Sequence, residues 1–218
     1  MLNEVELSVV LPVYDENLFV VQKALSSVSR QLKSNYELII IDDNPQRTDL
    51  KAFLQDFQSK TKSVFLVFNS VNKGLVYSLN KGLQQAKGKY IARMDADDIS
   101  LPGRFEAQVA ILDGYYFTAS AAIEIDENDD KIGFRKMPFE GVMETPTVFK
   151  YGNFIIHPSV MMRRDVVNKL GGYHDIPSAE DFDLWVRILF FHHSRAFLVT
   201  DPKVLYRVRA NGISLANR

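Results

Sequence analysis

Through residue 113 the chain alternates between short runs of β-favouring apolar residues and longer stretches in which apolar residues recur every three or four positions. Few folds satisfy that rhythm. Leu7-Ser8-Val9-Val10-Leu11-Pro12-Val13, Glu37-Leu38-Ile39-Ile40-Ile41, Ser63-Val64-Phe65-Leu66-Val67-Phe68 and Tyr90-Ile91-Ala92-Arg93-Met94 read as strands. The second is apolar almost throughout, as in a parallel strand covered on both faces. Between the strands, Leu18, Val21, Leu25, Val28 and Leu32 form one helical stripe. Leu50, Phe53, Leu54 and Phe57 form a second, with Thr48 or Asp49 as its cap. Leu75, Leu79, Leu83 and Ala86 form a third, closed by Gly88. Ser100-Leu101-Pro102 opens a fourth, with Phe105, Val109 and Leu112 facing inward. Such repeats imply right-handed crossovers and an α/β fold with a mostly parallel sheet.

The remainder has a different rhythm. Phe117 to Ile125 and Lys131 to Met137 flank Asp126-Glu127-Asn128-Asp129-Asp130 and read as a hairpin. Its acidic tip lacks the spacing and the glycine of a calcium loop and reads as a solvated turn. Ser159 to Met162 reads as a strand, and Asp165 to Leu170 as a short helix stopped by Gly171-Gly172. Ser178-Ala179-Glu180-Asp181 opens an amphipathic helix carrying Leu184, Trp185, Ile188 and Leu189, and strand-like residues follow from Phe197 to Val208.

With 218 residues and 46% hydrophobic content, the chain can bury one sizeable core. A net charge of -1 offers no electrostatic case for nucleic acid or an anionic membrane. The lack of cysteine excludes a disulfide framework and zinc thiolates. No signal-peptide pattern opens the chain and no apolar run is long enough to span a membrane, so a cytoplasmic protein is expected. Nothing in the sequence speaks to oligomeric state.

The strands of the first half end in acids: Asp15-Glu16, Asp42-Asp43 and Asp95-Ala96-Asp97-Asp98. A parallel sheet sets such ends side by side, at the edge where ligands bind. Carboxylates gathered there need a cation or hydrogen-bond donors among them. Mg²⁺ or Mn²⁺ with the hydroxyls and base of a nucleotide would meet that need. Neither glycine-rich phosphate loop, G-x-G-x-x-G or G-x-x-x-x-G-K-[ST], is in place, so any diphosphate depends on a metal and scattered cations. Lys73 and Arg104 are candidates for that task, or plain surface charges.

Six fragments in this order resemble family 2 glycosyltransferases of the GT-A fold. They are Ser8–Glu16, Ile40-Ile41-Asp42-Asp43, Asn72-Lys73-Gly74-Leu75, Met94–Asp98, His157-Pro158-Ser159 and Ala179–Arg187. The likeness covers nearly the whole chain and is strongest to bacterial enzymes of capsule, lipopolysaccharide or cell-wall glycans. It implies one GT-A domain over 1–218, with a nucleotide-sugar half (1–113) and an acceptor and catalytic-base half (114–218). It also implies that Pro12, Tyr14 and Glu16 line the nucleotide site and that Asp43 accepts from uracil. Asp95 and Asp97 form the D-x-D motif: Asp97 ligates Mn²⁺ or Mg²⁺, and Asp95 lies near the ribose or a metal-bound water. Asp181, beside Glu180, is the implied general base, although Ser178-x-x-Asp181 also reads as a capping box. Trp185 is either a floor for an acceptor sugar or a core residue, and His157 is a candidate acceptor-side residue.

The implied reaction is inverting transfer of a hexose or N-acetylhexosamine from a UDP-sugar to a saccharide or lipid-linked saccharide. The second acceptor type would place the protein peripherally at the inner membrane face. One departure stands out. Where many relatives carry a metal-binding histidine, this chain has Arg209, which cannot ligate a cation but can contact a diphosphate. His192-His193 offer a replacement or lie on the surface. A non-catalytic nucleotide-sugar-binding subunit is the alternative, and a sugar-1-phosphate nucleotidyltransferase a weaker one, since no glycine- and arginine-rich loop follows the first strand.

Overall fold

The computed structural model describes residues 4–143, 152–191 and 195–209. Its centre is one sheet. In chain order the elements are β1 (Leu7–Val13), α1 (Leu18–Ser29), β2 (Tyr36–Asp42), α2 (Thr48–Lys60), β3 (Val64–Phe68), α3 (Leu75–Gln85), β4 (Tyr90–Arg93), β5 (Ile99–Ser100) and α4 (Arg104–Leu112). The hairpin β6 (Phe117–Ile125) and β7 (Lys131–Arg135) follows, then β8 (Gly141–Met143), a 3-10 turn (His157–Ser159) and β9 (Met161–Arg163). The last elements are α5 (Arg164–Lys169), α6 (Glu180–Phe190) and β10 (Ala196–Arg207).

The sheet order is β3-β2-β1-β4-β9-β6-β10-β5, with β7 beside β6 and β8 beside β10. From β3 to β4 every pairing is parallel, as the strand–helix rhythm requires. Beyond β4 the sheet is mixed: β9 runs antiparallel to both β4 and β6, whereas β10 is parallel to β6. The expectation of a mostly parallel sheet thus holds only for the first half. The second half continues the same sheet.

The period of two along each strand sorts side chains between two cores. Leu7, Val9, Leu11 and Val13 of β1, with Leu38 and Ile40 of β2, pack against Val21, Leu25 and Val28 of α1 and Leu50 and Leu54 of α2. Val10, Ile39 and Ile41 face the other way, onto Leu79 and Leu83 of α3, in a cluster that also takes in Trp185.

Three local expectations need correction. Helix α2 begins at Thr48 itself, after Arg47, with no side-chain cap; Asp49 instead pairs with Arg47 at 2.8 Å. Helix α3 ends at Ala86 in extended backbone, so Gly88 is not its stop. Gly88 is small because β1 runs against it: a Cβ there would lie 2.5 Å from the Ser8 backbone nitrogen. Its N–H donates to Ser8 Oγ (2.8 Å), which donates to Glu37 (2.6 Å) and so satisfies a buried acid. Finally, α4 starts at Arg104, after Gly103 at φ +77°, while Ser100 belongs to β5.

Candidate active site

β1 and β4 pair only from Leu7↔Tyr90 to Val10↔Arg93. β4 then leaves the ladder, and Met94 N–H donates to Val10 O as its last bond. Pro12, two residues on, faces the same side as Val10, where no strand remains to miss its N–H. The acid-bearing turns lie beyond the carboxyl ends of β1, β2 and β4, the edge of such a sheet where ligands bind.

On the β2 side, Asp43 is buried and holds the loop before α3. Its Oδ1 accepts from Asn69 Nδ2 (2.7 Å) and Lys73 N (2.9 Å), and its Oδ2 from Gly74 N (2.8 Å). A carboxylate has about four acceptor positions, so one remains for a ligand N–H. Lys73 is exposed, with its ammonium 5.8 Å from the Tyr77 ring. Tyr14 is exposed at the end of β1, and its N–H donates to Glu16 Oε2 (2.8 Å).

On the β4 side, Asp95, Asp97 and Asp98 each present one carboxylate oxygen within 4.8 Å of the others. Arg93 is buried beneath them and pairs with Asp95. Asp97 Oδ2 is 2.8 Å from Arg209 Nη2, and the same guanidinium nitrogen is 4.0 Å from Glu16. Arg209 thus bridges β1's acid to the aspartate cluster. Burial, and then the charge of Asp95, push the Asp97 carboxyl up to about 6. Asp98 is raised well above the usual range, by burial first and Asp97 second. Its Oδ1 accepts from Arg207 N–H (2.7 Å), while its Oδ2 is buried with no partner among the described residues. This all-oxygen set, with one orphaned acceptor and mutually repelling charges, fits a hard divalent cation.

The residues expected on the acceptor side lie in the second half of the chain, in the 3-10 turn and α6. Asp181 lies half-exposed in the first turn of α6, with Asn153 Nδ2 3.2 Å from both carboxylate oxygens. The capping box is absent: Ala179 is the cap residue and makes no side-chain bond, and Ser178 adopts φ +58°. Glu180, raised first by burial, also senses Asp181 and Arg93. Tyr173, raised by burial, is influenced by Arg93, Asp181, Glu180 and Asp95. Glu180 and Asp181, two of the three acids in the first turn of α6, therefore act on Tyr173 together with Asp95. His157 joins them at 3.0 Å from the Tyr173 hydroxyl, its imidazole held well below the usual range by burial and by Arg93.

Two candidates fall away. Arg104 is fully buried, donating to Gln108 Oε1 (3.0 Å) and the Arg93 carbonyl (2.9 Å), so it cannot reach a diphosphate. Burial lowers its guanidinium to about 9. Trp185 is 1% exposed and packs on Phe117 with ring centroids 4.8 Å apart, so it is core and offers no face to a sugar. His192-His193 and residues 210–214 lie outside the described residues.

The family model for glycosyl transferase family 2 matches residues 8–171. This chain belongs to that family. The chain is 31% identical to the amylovoran biosynthesis glycosyltransferase AmsE of Erwinia amylovora, over 97% of this chain and 78% of the relative. It is 30% identical to an uncharacterized glycosyltransferase of Methanocaldococcus jannaschii, over 84% of this chain but only 64% of the relative. Among solved structures it superposes on S. aureus TarS in complex with UDP-GlcNAc with a TM-score of 0.76 at 16% identity, covering 95% of this chain and 60% of that one. The likeness confirms a GT-A fold. The matched family region stops short of Asp181 in α6, Arg207 at the end of β10 and Arg209 just beyond it. No helix among the described residues is long and apolar enough to cross a membrane.

Proposed function

We propose that this glycosyltransferase moves a hexose or N-acetylhexosamine from a UDP-sugar to an acceptor hydroxyl, with inversion, in synthesis of a bacterial surface polysaccharide. The observation that carries the reading is the gathering of the β4 acids, Glu16 and Arg209 beyond the carboxyl ends of β1 and β4, with Tyr173 feeling the charge of both Asp181 and Asp95. The donor class is supported by the UDP-GlcNAc complex of TarS, and the setting by relatives named for amylovoran and O-antigen biosynthesis.

In this reading the acceptor oxygen attacks the anomeric carbon as the bond from that carbon to the UDP oxygen breaks. UDP departs with the electron pair, and the hydroxyl proton passes to the Asp181 carboxylate. Asp43 and the backbone it holds offer the base a rigid wall, and Tyr14 and Pro12 flank it. Arg209 is placed to contact the diphosphate once it leaves Asp97. Mn²⁺ or Mg²⁺, held by Asp97, Asp95 and the free Asp98 oxygen, would offset charge on the leaving diphosphate. A lipid-linked acceptor would bring the protein to the inner membrane face.

The test is a melting-shift panel of nucleotide sugars with Mn²⁺, followed by donor hydrolysis and transfer. UDP-sugars should raise the melting temperature. Asp181→Asn should keep UDP affinity and lose about 10²–10⁴-fold in turnover, the usual contribution of a general base. Near-wild-type turnover in that variant would put the base elsewhere. The second reading, a nucleotide-sugar-binding subunit without turnover, draws on Arg209 standing on Asp97. UDP binding with no hydrolysis of any UDP-sugar would favour it.

A further inference from the structure

The acidic tip of the β6–β7 hairpin resembles a solvated turn in sequence, but the fold ties it to the donor site. Arg207, the last residue of β10, is 5% exposed although it is charged. Its backbone N–H donates to Asp98 Oδ1 (2.7 Å) and its Nε to the Asp97 carbonyl (2.9 Å). Its other two guanidinium nitrogens turn to the hairpin: Nη1 donates to the Asp126 carbonyl, and Nη2 pairs with the Asp129 carboxylate. Asp129 also takes Lys23 of α1, and it sits at φ +72° in the turn, its N–H donating to the Asp126 carbonyl (3.2 Å).

We infer that Asp129 and Arg207 are positioning residues for the donor site: the hairpin tip holds Arg207, and Arg207 holds the turn carrying Asp97 and Asp98. The carboxylates of that turn repel one another and would spread if the backbone allowed it. A guanidinium is a flat, rigid fork, so fixing one edge on Asp129 fixes the direction of the others. Remove Asp129, and the fork loses its outer anchor while remaining buried. Asp98 then depends on a backbone N–H whose own side chain keeps only the Asp97 and Asp126 carbonyls and has lost its one charged partner. The coupling stands on these contacts alone; its consequence for catalysis rests on the proposed function.

Hydrogen exchange on the intact, ligand-free chain tests the coupling directly. In Asp129→Ala, the amides of Asp97, Asp98 and Arg207 should exchange about tenfold faster, the factor that ~1.4 kcal/mol of lost clamping produces. Amides of β1 to β3 should keep their wild-type rates, and Asp129→Glu should restore part of the protection. If Asp129→Ala does not fold, Asp129→Asn keeps the size without the charge and carries the same test. Unchanged exchange at Asp97 and Asp98 would overturn the inference. Calorimetry with UDP and Mn²⁺ then reads the functional arm, where affinity should fall about fivefold, or ~1 kcal/mol. Faster exchange in the variant, alongside a wild type that ignores UDP, would sink the donor-site reading and leave the coupling standing.

Discussion

Replacing Asp97 with Asn should make the metal-free protein more stable at neutral pH, although the residue is central to the proposed site. The Asp97 carboxyl titrates at about 6 because burial and Asp95 oppose its charge. Against an ordinary aspartate this means its ionised form costs about 3 kcal/mol. The folded state holds the proton more tightly than the unfolded chain does. Stability therefore falls as pH rises from about 4 to about 6, and the cost is fully present above that window. Asn removes the charge and keeps the shape. The pairing with Arg209, a 40%-exposed partner that lowers the carboxyl, is already contained in that cost. The gain is therefore about 3 kcal/mol, or roughly 6–12 °C in melting temperature for a chain of this size. The assay is thermal unfolding in a chelator at about pH 7.5 and again at about pH 4.5, where the gap should narrow to about a third. Added Mn²⁺ and UDP should lift the wild type and not the variant. A variant that melts at or below the wild type at neutral pH without metal would refute the electrostatic argument.

Two further perturbations probe other parts of the molecule. Arg209→His exchanges a guanidinium that pairs with Asp97 for a group able to ligate, and Mn²⁺ affinity by calorimetry should rise about tenfold, or ~1.4 kcal/mol. Unchanged or weaker binding would mean that Arg209 does not stand in a ligand's place. Gly88→Ala would set a Cβ 2.5 Å from Ser8 N and 2.7 Å from Leu7 C, both backbone atoms. Urea unfolding should show a loss of about 2–3 kcal/mol, and an unmoved midpoint would deny the close approach.

The sequence carried the first half of the fold because each element there contains its own signal. Leu38 to Ile41 are apolar on both faces since the strand is covered on both, and the α1 stripe repeats at helical spacing. The strand-end acids could likewise be placed together, because parallel neighbours bring their carboxyl ends to one edge. What stayed hidden was set by partners distant in sequence. The reversal of β9, wedged between β4 and β6, depends on a register no local pattern encodes. Arg104 reads as a surface cation until the Arg93 carbonyl is seen above it. Asp129 reads as solvent-facing because Arg207 lies 78 residues away in the chain. Arg207 left a weaker trace, as one of three charges in the strand-like run from Phe197 to Val208, but not what it would touch. Arg93 left a similar trace, since a cation inside the apolar run before the aspartates is out of keeping with a doubly covered strand.

Strand β10 comes last in the described chain yet is slotted between β6 and β5, with β8 also upon it. A shortened chain cut at residue 171, where the family match ends, would lack it altogether. β6 would then show a raw flank of unpaired amides and carbonyls, the kind of surface that recruits other molecules into aggregates. During synthesis the same flank stays open until the ribosome has delivered residue 207, so this half of the sheet is the last to close.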